Sequence, residues 1–317
     1  MTLDPVIWFF LLGVIAGIAK SDLKLPPAIY ELLSILLLLA IGLKGGVELS
    51  KTSLSGLLPQ VLAVLTMGFV LPLILYPLAR IGKIGRPDAA SLVAHYGSVS
   101  VATFAVGVTF LSERNIEYDS QLPLFLVLLE VPAIIVGILI AKGLSGNGQR
   151  WSQITREIFF GKSIILLVGG LLIGWVAGPK GVAPLEPLFF DLFKGLLALF
   201  LLEMGLIAAS QGQALRRHGA FVVLFGLLIP IPMGAVGGLV GTMIGLNVGG
   251  ATLLGVLAGS ASYIAAPAAM RIAVPEANPS LSLTASLGVT FPLNIFIGIP
   301  VYHAIAMALS SQGGGML

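Results

Sequence analysis

Ten long apolar runs, separated by short polar connections, set the limits on what this chain can fold into. About 20 apolar residues in helical conformation cross the hydrocarbon core of a bilayer, and the runs have that length. They fall at about 5–19, 26–43, 56–78, 89–111, 122–141, 159–177, 187–209, 220–246, 249–270 and 281–309. Barrel strands would be shorter and would alternate in polarity, so the runs predict helices. Only 10% of the residues are charged and 57% are hydrophobic, whereas roughly a quarter of an ordinary soluble chain is charged. The expected class is an all-α integral membrane protein with ten transmembrane helices, surrounded by lipid. The first run follows Met1-Thr2-Leu3-Asp4 with no basic segment before it, so a cleaved signal peptide is not expected. The absence of cysteine excludes disulfides and thiolate metal sites. The net charge of +3 comes from basic residues scattered through short loops, which the membrane explains without nucleic acid as a partner.

The runs pair off in order between the two halves of the chain. Gly13 and Gly17 in the first are answered by Gly170 and Gly174 in the sixth. Gly42-Leu43 recurs as Gly205-Leu206, Gly97-Ser98-Val99-Ser100 as Gly259-Ser260-Ala261-Ser262, and Pro132 with Gly137 as Pro292 with Gly298. Five runs per half is an odd number, so the second copy must enter the membrane upside down. This is a 5+5 inverted-topology repeat, with residues 1–143 as the first unit, 144–157 as a polar linker and 158–317 as the second unit. The basic residues agree. Lys20, Lys24, Arg80, Lys83, Arg86, Lys142, Arg150, Arg156, Lys162, Arg216, Arg217 and Arg271 fall in alternate connections, against Lys44, Lys51, Arg114 and Lys180 in the others. That bias places the linker in the cytoplasm and both termini outside, as in a multi-pass protein of the plasma (inner) membrane.

The two Gly-Ser-x-Ser tetrads are the chemistry-bearing feature. Glycine and serine are poor material for a continuous lipid-facing helix, and matched interruptions in two halves mark a transporter's binding site. Two broken core helices are therefore expected, each with a half-helix start that aims free amides and a positive dipole end at the break. Gly97, Ser98, Ser100, Thr103, Gly259, Ser260 and Ser262 form the expected anion site. For a single tetrad, ordinary helix packing through small residues is the simpler explanation; the matched pair favours the site. Glu130, at depth in the fifth run and two residues before Pro132, is a functional candidate because a charge there is costly. With the oxygens of Thr290 and Asn294, which flank Pro292, it is the expected cation site; the competing role is a carboxyl hydrogen-bonded within the bundle. Asp191 and Lys194 are spaced to pair on one helical face. Gly237, Gly241 and Gly245 read as a packing stripe, and His95 and His303 as packing residues. No phosphate loop, zinc spacing or Ser-His-Asp arrangement occurs, so no enzyme activity is expected.

The chain resembles the SbtA-type sodium-dependent bicarbonate transporters over nearly its whole length. The resemblance rests on Leu25-Pro26-Pro27-Ala28 with Ile41-Gly42-Leu43-Lys44-Gly45-Gly46 and on Tyr96-Gly97-Ser98-Val99-Ser100 through Thr103. It continues in Ile116-Glu117-Tyr118, in Glu130-Val131-Pro132-Ala133, and most specifically in the stretch from Arg271 to Asn278-Pro279-Ser280. It implies gate and core domains, bicarbonate between the broken helices, sodium as the coupling ion, and a trimer. It also implies, in cyanobacterial members, control by a PII-like regulatory protein. The chain departs from the family at Tyr263 and Glu130, where the family has an acidic residue and Asp, and in a short linker. The expected function is sodium-coupled symport of bicarbonate or a similar small anion. The alternatives are transport of another anion, proton-coupled, or a receptor or scaffold that does not transport.

Overall fold

A computed structural model describes residues 4–51, 56–142, 155–156 and 159–313. The fold is 84% helix, with no strand among the described residues. The first half holds α1 (Pro5–Ile18), α2 (Pro27–Ser50), α3 (Leu57–Ile81), α4 (Arg86–Gly97), α5 (Val101–Ser112), α6 (Leu122–Glu130) and α7 (Pro132–Lys142). The second holds α8 (Lys162–Val182), α9 (Phe193–Ser210), α10 (Gly212–Leu228), α11 (Pro230–Met243), α12 (Val248–Ala258) and α13 (Ala265–Ala273). A last long helix follows, as α14 (Pro279–Leu283), α15 (Phe291–Leu293) and α16 (Ile299–Gly313) joined by wide π-helical turns at Thr284–Thr290 and Asn294–Gly298. Among the described residues eight helical segments are long and apolar enough to cross a membrane; α1 and α12 are shorter apolar helices. The helix starts are written in the sequence. Asp4 caps α1 ahead of Pro5, Asn247 caps α12, and Asn278 caps α14 ahead of Pro279.

Backbone contact through glycine holds two long seams. Helix α1 packs along α9, and α2 along α8. A Cβ on Gly13 would stand 2.0 Å from the Leu202 carbonyl oxygen, and one on Gly205 would stand 2.2 Å from that of Phe10. In the other seam a Cβ on Gly46 would stand 2.1 Å from the Leu171 oxygen, and one on Gly174 would stand 2.3 Å from that of Leu43. Van der Waals packing between helices in lipid favours small residues for this reason. It also explains why α2 continues to Ser50 rather than ending near Leu43: Gly45 and Gly46 are contact residues, not a stop signal. The outward faces, with Trp8, Leu12, Ile15 and Ile18 on α1 and Ile165, Leu172, Ile173 and Val176 on α8, stay exposed as a lipid-facing surface requires.

Two other expectations are corrected. Gly237 and Gly241 do pack tightly, against Leu254 and Ala251, but Gly245 has nothing near it and takes φ +81° in the turn after α11. Lys194 does not pair with Asp191; its ammonium lies 2.8 Å from Glu113 on the other half of the chain.

Polar contacts between elements gather at two opposite ends of the bundle. At one end the Asn278 amide donates to Asp88 (2.7 Å), the Arg86 guanidinium to the Ile140 carbonyl (2.6 Å), and the Thr284 hydroxyl to Gln211 (3.1 Å). At the other the Asn247 amide donates to Asp119 (2.9 Å), and Gln60 links Gln121 to the Ile244 carbonyl. Each group joins helix ends that ten alternating spans would place on the same side.

Candidate functional site

Both tetrads interrupt their helices. Helix α4 ends at Gly97, Ser98 is extended (φ −89°, ψ −178°), and Ser100 caps α5 by accepting the Thr103 amide at 3.1 Å. Gly97 is required by close approach, since a Cβ would lie 2.7 Å from that of Ala133 and 3.0 Å from Pro72. In the second half α12 ends at Ala258 and α13 begins at Ala265. The Ser262 hydroxyl accepts the Ala266 amide at 3.2 Å in the first turn of α13.

The two interruptions are bonded to each other. The Ser100 amide donates to the Ser260 hydroxyl at 2.9 Å, and the Ser262 amide donates to the His95 carbonyl at 2.8 Å. Ser98, Ser100, Thr103, Ser260 and Ser262 are all buried. The hydroxyls are not all turned to one cavity, as the sequence alone implied. Ser98 donates to the Glu130 carbonyl (3.1 Å) and Ser260 to the Leu257 carbonyl (2.8 Å). Val101 and Ala102 supply first-turn amides that a helix start leaves without an intrahelical partner. They line a cavity of about 10 Å³ with Ser34, Leu37, Phe200 and Ile264, about the room one water needs.

The three expected cation ligands have different surroundings. Glu130 ends α6, because Pro132 breaks the helix behind it; its side chain is buried and one carboxylate oxygen has no hydrogen-bond partner. It lines a cavity of about 200 Å³ with Ile134, Lys162, Ser163, Ala265 and Ala269. Thr290 and Asn294 are committed to holding the tetrads. The Thr290 hydroxyl donates to the Gly226 carbonyl (2.8 Å) and meets the Tyr96 hydroxyl at 2.6 Å. Asn294 donates to the Gly259 carbonyl (2.8 Å) and accepts from Tyr302 (2.7 Å). Among the described residues no cluster of three His, Asp or Glu side chains is placed to hold a metal. A cation at Glu130 therefore depends on carbonyl and hydroxyl oxygens besides this carboxylate. His95 contributes its carbonyl to the site, while its ring bonds back to the Ser91 carbonyl (2.7 Å). His303 meets the Thr252 hydroxyl (3.2 Å) and Phe110, in a packing role.

A second cavity, of about 260 Å³, approaches the broken helices from the opposite end of the bundle, lined by Lys44, Phe104, Val108, Thr109, Asp191 and Lys194. At this end Lys194 and Glu113 form their ion pair beside Asp4. Burial raises the Asp4 carboxyl above its ordinary value against the Val6 amide, which lowers it. Burial pushes Glu113 the same way, but the Lys194 and Asp4 hydrogen bonds hold it below its ordinary value overall. Stability from Asp4 is thus present at low pH and lost as pH rises through its raised value. Stability from Glu113 is present above its ordinary value and lost as pH falls through its depressed one. Asp4→Asn keeps the cap and is expected to flatten the loss of thermal stability as pH rises from the ordinary carboxylate value through the raised Asp4 value. The effect should be small, about 1 kcal/mol or less for so exposed a cluster; thermal unfolding followed across pH measures it.

Tyr96, Tyr302, Asp88 and Asp119 carry contacts that sequence reasoning did not single out. Only Tyr96 had a signal, its place immediately before the first tetrad.

No curated protein matches the chain. The family model described as the Na+-dependent bicarbonate transporter superfamily matches residues 5–307, a span that contains both seams, both breaks and Glu130. The chain belongs to the Na+-dependent bicarbonate transporter superfamily.

Proposed function

We propose that this protein is a sodium-coupled symporter that carries bicarbonate by alternating access, with the anion held between the two broken helices. The observation that carries this reading is the reciprocal bonding of the tetrads, Ser100 amide to Ser260 hydroxyl and Ser262 amide to His95 carbonyl. It brings two helix starts together in a buried place with backbone donors and no formal charge between them. Fixed neutral donors suit an anion that must leave as well as bind.

The inverted repeat is supported by the packing. Exchanging the halves turns the α1–α9 seam into the α8–α2 seam, and the α3–α4 contact into α11–α12. It likewise turns α4–α7 into α12–α16. Ten spans, with α12 and α13 as two parts of one, also account for the two segregated groups of polar contacts. In this reading the glycine seams of α1, α2, α8 and α9 form the gate, and the broken helices belong to the core that moves against it. The two large cavities lie at opposite ends of the bundle, as alternating access requires. The bias of the basic residues supports a cytoplasmic position for the Glu130 cavity, in a plasma membrane with both termini outside. Glu130 is the coupling-ion carboxylate, and Thr290 and Asn294 serve it by fixing the tetrads. A homotrimer follows from the family resemblance.

Ser98→Ala and Ser260→Ala are expected to raise the apparent KM for bicarbonate about fivefold each, because each removes a hydrogen bond that fixes a helix break, Ser98 to the Glu130 carbonyl and the Ser100 amide to Ser260, an effect of about 1 kcal/mol apiece. Isotope uptake in a transport-null host measures this, and unchanged kinetics in both variants would refute the site.

A further inference from the structure

Tyr263 is the residue after the second tetrad, and the proposed mechanism gives it no task. It is 8% exposed, its ring stands edge-on to Phe291, and its hydroxyl is buried without a hydrogen-bond partner. That hydroxyl lies beside Ser100, the cap of α5. Ser100 Oγ already accepts two hydrogen bonds, from the Thr103 amide (3.1 Å) and the Thr103 hydroxyl (2.8 Å). Its own proton is left to donate. The Ser100 proton can go to the Tyr263 oxygen beside it, so one proton, that of the phenol, is left at the first turn of α5, next to the free amides expected of a helix start, with no acceptor in place. A buried phenol normally finds a partner, and an unsatisfied one destabilises the fold. The missing partner must be an acceptor, and donors alone around a helix N-terminus call for negative charge.

We propose that Tyr263 is a specificity-determining residue of the anion site, its hydroxyl, oriented by that of Ser100, donating to one oxygen of a small oxyanion. This rests on the reading of the tetrads as the anion site and adds to it a neutral donor. A carboxylate in the same place would repel an anion unless the anion offered it a proton. The phenol removes that demand, so oxyanions that carry no proton, such as formate and nitrate, should compete with bicarbonate.

Tyr263→Phe tests this in transport and in purified protein. It removes one oxygen and keeps the ring against Phe291. Its KM for bicarbonate should rise roughly tenfold, the effect of losing a hydrogen bond to a charged group, with the maximal rate within about twofold of wild type. Competition by formate and nitrate should weaken in parallel. The anion-free protein should melt no lower than wild type, because an unsatisfied hydroxyl has been removed, while the rise in melting temperature caused by bicarbonate should shrink. A lower anion-free melting temperature with an unchanged bicarbonate shift would make Tyr263 purely structural and overturn the proposal. An unchanged KM in Tyr263→Phe alongside a raised KM in Ser100→Ala would overturn the tyrosine's role and leave the anion site standing. Unchanged values in both would remove the site itself. If Tyr263→Phe does not insert stably, Tyr263→His, which retains a donor, replaces it; an unchanged preference among bicarbonate, formate and nitrate there would count against the proposal.

Discussion

Glu130→Gln is expected to abolish sodium-dependent uptake and to leave the protein folded. The carboxylate is buried with one oxygen unpaired, an arrangement that costs several kcal/mol unless something compensates it. In the proposed mechanism a bound cation would do so. Glutamine has nearly the same size but lacks the charge, and a unit charge at about 4 Å in a medium of effective dielectric about 20 is worth about 4 kcal/mol. Sodium affinity should fall roughly a thousandfold, far enough that uptake no longer responds to sodium. The variant should melt no lower than wild type in the absence of sodium, since an uncompensated charge is removed. Isotope uptake with sodium and pH varied separately measures the effect. Uptake that remains equally sodium-dependent would take Glu130 out of the mechanism, and uptake driven by a pH gradient alone would make the coupling ion a proton. The hydrogen bond from Ser98 to the Glu130 carbonyl at 3.1 Å would give the proposed anion and cation sites a shared element.

The broken helices could be read directly because the signals there are local. A Gly-Ser-x-Ser stretch inside an apolar run cannot hide in lipid, and Pro132 ends α6 wherever the helix is packed. The matching glycines of the first, second, sixth and seventh runs were legible as a pattern, though which pairs touch was not. Gly13 meets Gly205, and Gly46 meets Gly174, because the seams join the two halves and no local rule fixes a contact so distant in sequence. Hydroxyl direction was the least legible property. Ser98 and Ser260 resemble each other in sequence, yet both donate to backbone carbonyls left open near helix breaks, and the donor left over belongs to Tyr263. Gly245 shows the same limit. Its spacing continues the stripe of Gly237 and Gly241, but the helix ends at Met243 and the residue serves a turn. The Lys194 pairing was missed for a related reason, since a helical spacing rule sees only partners on the same helix. The linker at 144–157, where a soluble regulator of the PII-like kind would act, lies almost wholly outside the described residues.

Alanine at the seam glycines should produce the largest loss of folded protein of any substitution considered, and the loss should be matched between the halves. A Cβ at Gly13, Gly46, Gly174 or Gly205 would fall 2.0 to 2.3 Å from a carbonyl oxygen of the facing helix. Backbone cannot rotate away as a side chain can, so the helices must separate. Overpacking of this kind typically costs about 1–3 kcal/mol, and a main-chain clash belongs at the upper end. Gly169 and Gly195 sit in helices of the same seams with nothing within contact distance of an added Cβ, so alanine there should be neutral or slightly stabilising through helix propensity. Thermal unfolding in detergent, read by size-exclusion fluorescence, compares the six variants. Equal melting temperatures at Gly13 and Gly169, or at Gly174 and Gly195, would deny the seams their role. A large loss in only one seam would instead remove the equivalence of the halves. The matched result has a functional consequence. Helices locked by main-chain contact cannot slide past one another without losing that contact, so the seams are the rigid frame. In the proposed alternating access, the motion that exposes the tetrads first to one large cavity and then to the other would occur between this frame and the broken helices.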